Sequence, residues 1–300
     1  MVYIERYCGM RKKTVKNRLT LLLAGAFFLI FPIKIGLLSK ANAERTQSVQ
    51  NTRADNPFGW EKISAYTTYF SQNDGGRCEN IQIAASLIDG VTIQPYGEFS
   101  FNATVGRRTA EAGFQQAKII VNGEYVLGVG GGVCQVSTTL YNAVLKSGLQ
   151  ITEFHPHSLQ VGYVAPSRDA MVSSQSDLKF FNPHPHAVYL SAKTKNGAIQ
   201  ITFYGKRTAE RYELVSQTLA QIPAPTPIVK EGAIDEVLRA EKQGIKSELY
   251  LERYLGDKLL ARTRLRTDEY RPIQGIIVKK VDFPTEKDLS NDCLFYEKML

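Results

Sequence analysis

The run Gly128-Val129-Gly130-Gly131-Gly132-Val133-Cys134-Gln135-Val136-Ser137-Thr138-Thr139-Leu140-Tyr141 decides how the chain is read. Three consecutive glycines lead into a cysteine, and the cysteine leads into a helical pattern. Val136, Leu140, Ala143 and Val144 recur at spacings of three and four. That spacing predicts an apolar helix face from about Gln135 to Lys146, stopped by Ser147-Gly148. Cys134 is expected in the first turn, after a loop whose tight backbone angles suit glycine. Free amides and the positive end of the helix dipole favour thiolate over thiol there. Glycines without side chains would also let another chain's backbone approach the sulfur.

On either side of this stretch the patterns alternate between strand and turn. Ile63 to Phe70 is rich in aromatic and β-branched residues and reads as a strand, broken by Asn73-Asp74-Gly75-Gly76. Ile81, Ala84, Ala85 and Ile88 give a helix ending at Asp89-Gly90. Short strands follow at 91–93 and 98–101, with a short helix or turn at 110–114. Residues 118–126 read as a hairpin about Asn122-Gly123. After the cysteine helix, residues 150–154, 159–164, 177–181, 187–192 and 198–204 are strand-like. Residues 60–205 are therefore expected to form an α+β domain, a mostly antiparallel sheet with a cysteine-bearing helix. Residues 206–227 carry a stiff proline-rich connector, and 228–280 read as a small all-β module with little core. The tail at 281–300 is uninformative.

The net charge of +8 suggests a polyanion partner until it is located. Residues 1–43 hold Arg6, Arg11, Lys12, Lys13, Lys16, Arg18, Lys34 and Lys40 against Glu5 alone, so the remainder is close to neutral. No nucleic-acid partner is expected. The basic segment is instead a leader: a positive region to Arg18, an apolar run Leu19 to Phe31, and the small-residue site Ala41-Asn42-Ala43. It reads as a cleaved signal peptide, or as an uncleaved anchor using residues 19–38 as the one membrane contact. Residues 44–59 follow as a polar linker. Either reading exports the rest, secreted or membrane-anchored. Of the exported cysteines, Cys78, Cys134 and Cys293, one pairing, Cys78 with Cys293, would leave Cys134 free.

A nucleophilic cysteine needs a base able to stand as imidazolium beside thiolate. His157 is the candidate base, and Asp169 its orienting partner, with Asp177 second. Gly131, Gly132, Gln135, Ser137 and His155 are the candidate substrate-binding residues. The amide of Cys134 or Gln135 would supply an oxyanion donor. Two rival readings stand beside this one. Cys134 is a buried structural residue, or it joins His155, His157, His184 and His186 around zinc. No metal and no cofactor is expected on the leading reading.

The order of cysteine on helix, histidine on strand and aspartate on the next strand resembles transglutaminase and papain-like hydrolases. In the transglutaminase group a Gly-x-Cys opens a similar helix. More specifically, residues 60–205 resemble the VanW-like domain. Its hallmark stands at 130–143, joined by the runs at 95–102, 105–110, 155–158, 168–170 and 177–180. Residues 211–280 resemble the degenerate β module of the G-five class that often trails this domain. The resemblance implies a cell-envelope setting, since the family takes its name from an accessory protein of vancomycin-type (glycopeptide) resistance clusters. Together with the cysteine chemistry it implies acyl transfer on peptidoglycan or another cell-wall component, with a non-catalytic wall-binding module as the alternative.

Overall fold

The computed structural model describes residues 58–281 apart from Asn122. The leader, most of the 44–59 linker and nearly all of the tail lie outside the described residues, as do Cys8 and Cys293. The Cys78–Cys293 pairing therefore has one member outside them, and Cys78 and Cys134 are both free thiols.

Strand β1 (Glu61–Tyr69) runs antiparallel to β9 (Ala198–Gly205), which pairs with β8 (Val188–Lys195) and then the short β2 (Thr92–Ile93). Their inward side chains, Val188, Leu190, Ile199, Ile201 and Phe203, are fully buried. Two helices pack on this sheet. Helix α1 (Gly75–Ile88) begins at Asp74, whose carboxylate accepts from the Arg77 N–H at 3.3 Å. The Gly75-Gly76 pair, expected as a breaker, is this helix's first turn. A Cβ at Gly76 would stand 2.5 Å from the Gln116 carbonyl oxygen, so glycine lets α1 sit against the hairpin of β4 (Gln116–Val121) and β5 (Glu124–Val129).

Helix α2 (Phe101–Val105) is capped by Ser100, and a 3-10 turn (Ala110–Ala112) follows. Helix α3 (Val133–Lys146) carries the cysteine and contains the expected apolar positions. It is not amphipathic in the expected sense. Ser137, Thr138, Thr139 and Asn142 are as fully buried as Val136 and Leu140. One side meets the sheet, where Ser64 Oγ donates to the Ala143 carbonyl at 2.9 Å and Thr68 and Thr139 hydroxyls bond at 2.8 Å. The opposite side is covered by the irregular segment 154–178, so its polar groups also need internal partners.

That segment overturns the α+β expectation and the hydrolase-like order with it. Among the described residues the protein is mostly β, 46% strand against 16% helix, divided among several small sheets without a papain-like helix-bearing core. His157 and Asp169 lie on no strand, and Leu159 to Val164 is irregular too. The reason is local. Side-chain bonds to buried backbone hold this segment, such as Ser137 Oγ to the Ala170 carbonyl at 2.6 Å and Asn142 Nδ2 to the Arg168 carbonyl at 2.8 Å. Such bonds compete with ladder formation. Only β6 (Gln150–Glu153) and β7 (Lys179–Phe181), flanking it, join β3 (Glu98–Ser100) in a small sheet.

From residue 206 to 281 the described chain has strands and turns but no helix. The long strands β10 (Glu210–Ile222), β13 (Gly244–Leu255) and β14 (Lys258–Tyr270) form one antiparallel sheet. Strands β11 (Ile228–Gly232), β15 (Ile276–Lys280) and β12 (Glu236–Arg239) form another. Leu214 and Leu249 of the first are part of the main core, and Lys146 at the end of α3 pairs with Glu213 at 2.7 Å.

Candidate functional site

The glycine loop takes its shape from this chain alone. Gly130 and Gly132 have φ of +89° and +104°, angles that L side chains rarely adopt. A Cβ at Gly131 would stand 2.7 Å from the Lys118 carbonyl oxygen, and one at Gly132 would stand 3.0 Å from the Arg77 side chain. On the side a Cβ would occupy, these two glycines are met by β4 and α1, while the same loop also lines the cleft beside Cys134. Asn80 locks the arrangement, its Nδ2 donating to the carbonyls of Gln115 and Gly131 at 2.9 Å each.

The loop delivers Cys134 to the first turn of α3, partly exposed, with its thiol donating to the Val172 carbonyl at 3.4 Å. The His157 ring lies in hydrogen-bonding contact with the sulfur. Its Nδ1 meets Asp169 Oδ2 at 2.8 Å, which leaves Nε2 for the cysteine. The same carboxylate oxygen accepts from the His157 backbone N–H at 2.7 Å. Sequence reasoning placed these three residues together, and the structure does bring them together.

The electrostatics follow from those contacts. Burial pushes the Cys134 thiol up, but the hydrogen bond and charge of His157, with Arg108 nearby, bring it below the ordinary cysteine range. Burial disfavours charge on His157, yet its bonds to Asp169 and Cys134 raise the imidazole to about 9. Burial likewise works against the Asp169 carboxylate, and the contacts with His157, Arg266 and Tyr270 still hold it below the usual carboxylate value. Both shifts run in the direction that favours thiolate beside imidazolium.

Asp169 is held from the far side by β14, which sequence reasoning did not foresee. The Tyr270 hydroxyl donates to Asp169 Oδ1 and accepts from the Ser167 N–H at 2.7 Å. Arg266 donates to the Asp169 carbonyl at 2.7 Å and makes a bidentate pair with Asp268 at 2.6 and 2.8 Å. Ser167 and Ser247 hydroxyls bond at 2.7 Å, fully buried. The only signal was that Arg266, Asp268 and Tyr270 share one face of a strand. A charged face of that kind ordinarily reads as solvated.

The other sequence candidates are placed differently. Gln135 is buried, its amide donating to Thr68 and the Tyr69 carbonyl and accepting from Arg77 at 2.5 Å. Ser137 is fully buried against Ala170, and His155 bonds Glu153 at 3.0 Å. Neither Ser137 nor His155 lines the cleft. Asp177 accepts from Ser100 and the Asn102 N–H at the start of α2 rather than from a histidine. The His184 and His186 rings stack on each other at 5.3 Å. Among the described residues no three His, Cys, Asp or Glu side chains are grouped to hold a metal. None of the described helices is long and apolar enough to cross a membrane.

Cys134 and His157 open into a cleft of about 1000 Å³ walled by the glycine loop, the hairpin, residues 106–109 and Tyr163. Residues 76–204, which contain this whole constellation, match the family described as VanW like protein. They are a VanW-like domain. The chain is 41% identical over 173 residues to a Bacillus subtilis protein, YoaR, covering 57% of this chain and 55% of that one. It is 30% identical over 78 residues to the vancomycin B-type resistance protein VanW of Enterococcus faecalis, 26% of this chain and 28% of that protein. The chain thus spans about half the length of YoaR and less of VanW. An IgA1 protease G5 domain structure aligns with 25% of the chain and 94% of itself. Its identity of 18% and TM-score of 0.17 are too low to carry a fold assignment.

Proposed function

We propose that the VanW-like domain performs cysteine-dependent acyl transfer, hydrolysis or transpeptidation, on a cell-envelope amide such as a peptidoglycan stem peptide. The observation that carries this is the Cys134–His157–Asp169 array opening into the cleft. The thiolate attacks the carbonyl carbon, and the developing oxyanion needs a donor at the helix start. Val133 and Gln135 amides already donate to Gly130 and Gly132 carbonyls at 3.2 and 2.9 Å, so the Cys134 N–H takes that role. Imidazolium Nε2–H protonates the leaving amine, giving a thioester. Water or a second amine, deprotonated by the now neutral imidazole, then releases the acyl group.

The envelope setting rests on the name of the Enterococcus relative and on the basic, apolar leader. The membrane contact would be the leader alone. The test is incubation of the exported chain with purified sacculi, followed by mass spectrometry of soluble products and of the protein. Released or cross-linked peptides with wild type, and none with Cys134→Ala, are expected. Product from both, or from neither, contradicts the proposal. A second reading, non-catalytic wall binding, is favoured by the exposed Tyr125 and Leu127 on the hairpin. It predicts sacculus binding that survives Cys134→Ala and weakens with Tyr125→Ala, with no product in either case.

A further inference from the structure

The walls of the cleft carry charge of one sign. Arg77, Arg107, Arg108 and Lys118 line it, and no aspartate or glutamate does. None of the four has an ion-pair partner among the described residues, and two are held by neutral acceptors. Arg77 Nη2 donates to Gln135 Oε1 at 2.5 Å, and Arg108 Nη2 donates to Asn102 Oδ1 at 2.5 Å. Arg108 is half-buried and close enough to Cys134 for their charges to interact. Arg107 and Lys118 are exposed, one beside the 3-10 turn and the other on the hairpin. Glu111 feels the charge of Arg107, and Asp177 that of Arg108, but neither carboxylate enters the cleft.

Uncompensated cations around a low-dielectric cleft focus a positive potential. Whichever of Cys134 and His157 holds their shared proton, the pair adds no net negative charge to balance four cations, and neutral acceptors fix two guanidinium groups without consuming their charge. In the same lining, Ile119, Ile120, Tyr125, Val161 and Tyr163 offer apolar surface for a chain backbone between the charged ends. We propose that the cleft takes an acidic peptide as acyl donor, with a carboxylate beside the scissile amide facing Arg108 and a more distant one facing Arg107 and Lys118. The position of the anions relative to the sulfur rests on the acyl-transfer reading, whereas the preference for anionic peptide does not.

The experiment measures binding to the full chain carrying Cys134→Ala, by calorimetry at low and high salt. The probes are N-acetyl-alanyl-glutamyl-alanyl-alanine, its C-terminal amide with glutamine in place of glutamate, and inorganic phosphate. The acidic peptide is expected to bind about tenfold or more tightly than the neutral one, with the gap closing as salt rises. The double variant Arg107→Gln, Lys118→Gln should abolish most of that gap while leaving the circular dichroism spectrum unchanged. Equal affinity for both peptides overturns the inference, and so does full displacement of the acidic peptide by phosphate at equal concentration. Because Cys134 is absent, loss of the acyl-transfer reading leaves this result standing. Conversely, thioester formation on wild type with no anionic preference would sink only the present inference.

Discussion

At Cys134 and His157 one proton has two places to sit, and that shapes what pH does to the protein. His157 is raised to about 9 from its ordinary 6.5, so alone it would add stability below about 6.5 and lose it as pH rises through about 9. Cys134 is lowered, so alone it would add stability above its ordinary 9.0 and lose it as pH falls. Moving the proton from sulfur to nitrogen changes no net proton count, and where their ranges overlap below 9 the two contributions oppose each other. In Cys134→Ala only the part of the histidine contribution that comes from Asp169 remains. We expect its denaturant midpoint to decline as pH rises above 6.5, more steeply than that of wild type; parallel curves would refute the ion pair. Gly132 provides a second test at this scale. With φ at +104° and Arg77 and Ile81 side chains at 3.0 and 3.1 Å from a Cβ, Gly132→Ala should cost about 1–3 kcal/mol in equilibrium unfolding. An unchanged midpoint would mean that the loop relaxes freely.

Among the elements, α3 was legible and the segment after it was not. The glycine run, the apolar spacing and the cysteine position gave the helix within two residues of its observed start. What the spacing could not give was the fate of its polar residues. Gln135 and Ser137, expected at the substrate, are both buried because both sides of α3 are covered, and of the two only Gln135 borders the cleft. Likewise His157 and Asp169 were found by chemistry, yet placed on strands that do not exist, because bonds from α3 side chains fix residues 154–178 without periodicity. Strand β14 supplies the corresponding prediction. Tyr270→Phe leaves the Ser167 N–H and one Asp169 oxygen short of a buried partner. A loss of about 1–3 kcal/mol in stability is expected from denaturant titration. No change would show that the hydroxyl is dispensable to the histidine's support.

Taken whole, the region after residue 205 supports the site as well as extending the chain. Arg266 is buried among Asp169, Asp268 and the rings of Phe154 and Tyr141, joining β14 to the segment that carries the histidine. Arg266→Met would leave Asp268 and Asp169 without their buried cation, a loss of about 3–5 kcal/mol in urea unfolding. A much smaller loss would mean that water reaches this interface. The sequence did not reveal this dependence, since alternating charge on a strand is the pattern of a solvated face. The central claim, a thiolate stabilised by His157, is tested most directly by the pH profile of Cys134 alkylation. Iodoacetamide should label Cys134 rapidly at pH values below the ordinary range of a cysteine, and His157→Gln should move the midpoint upward, to or above that range. A wild-type midpoint at or above about 8.5, unmoved by His157→Gln, would contradict it.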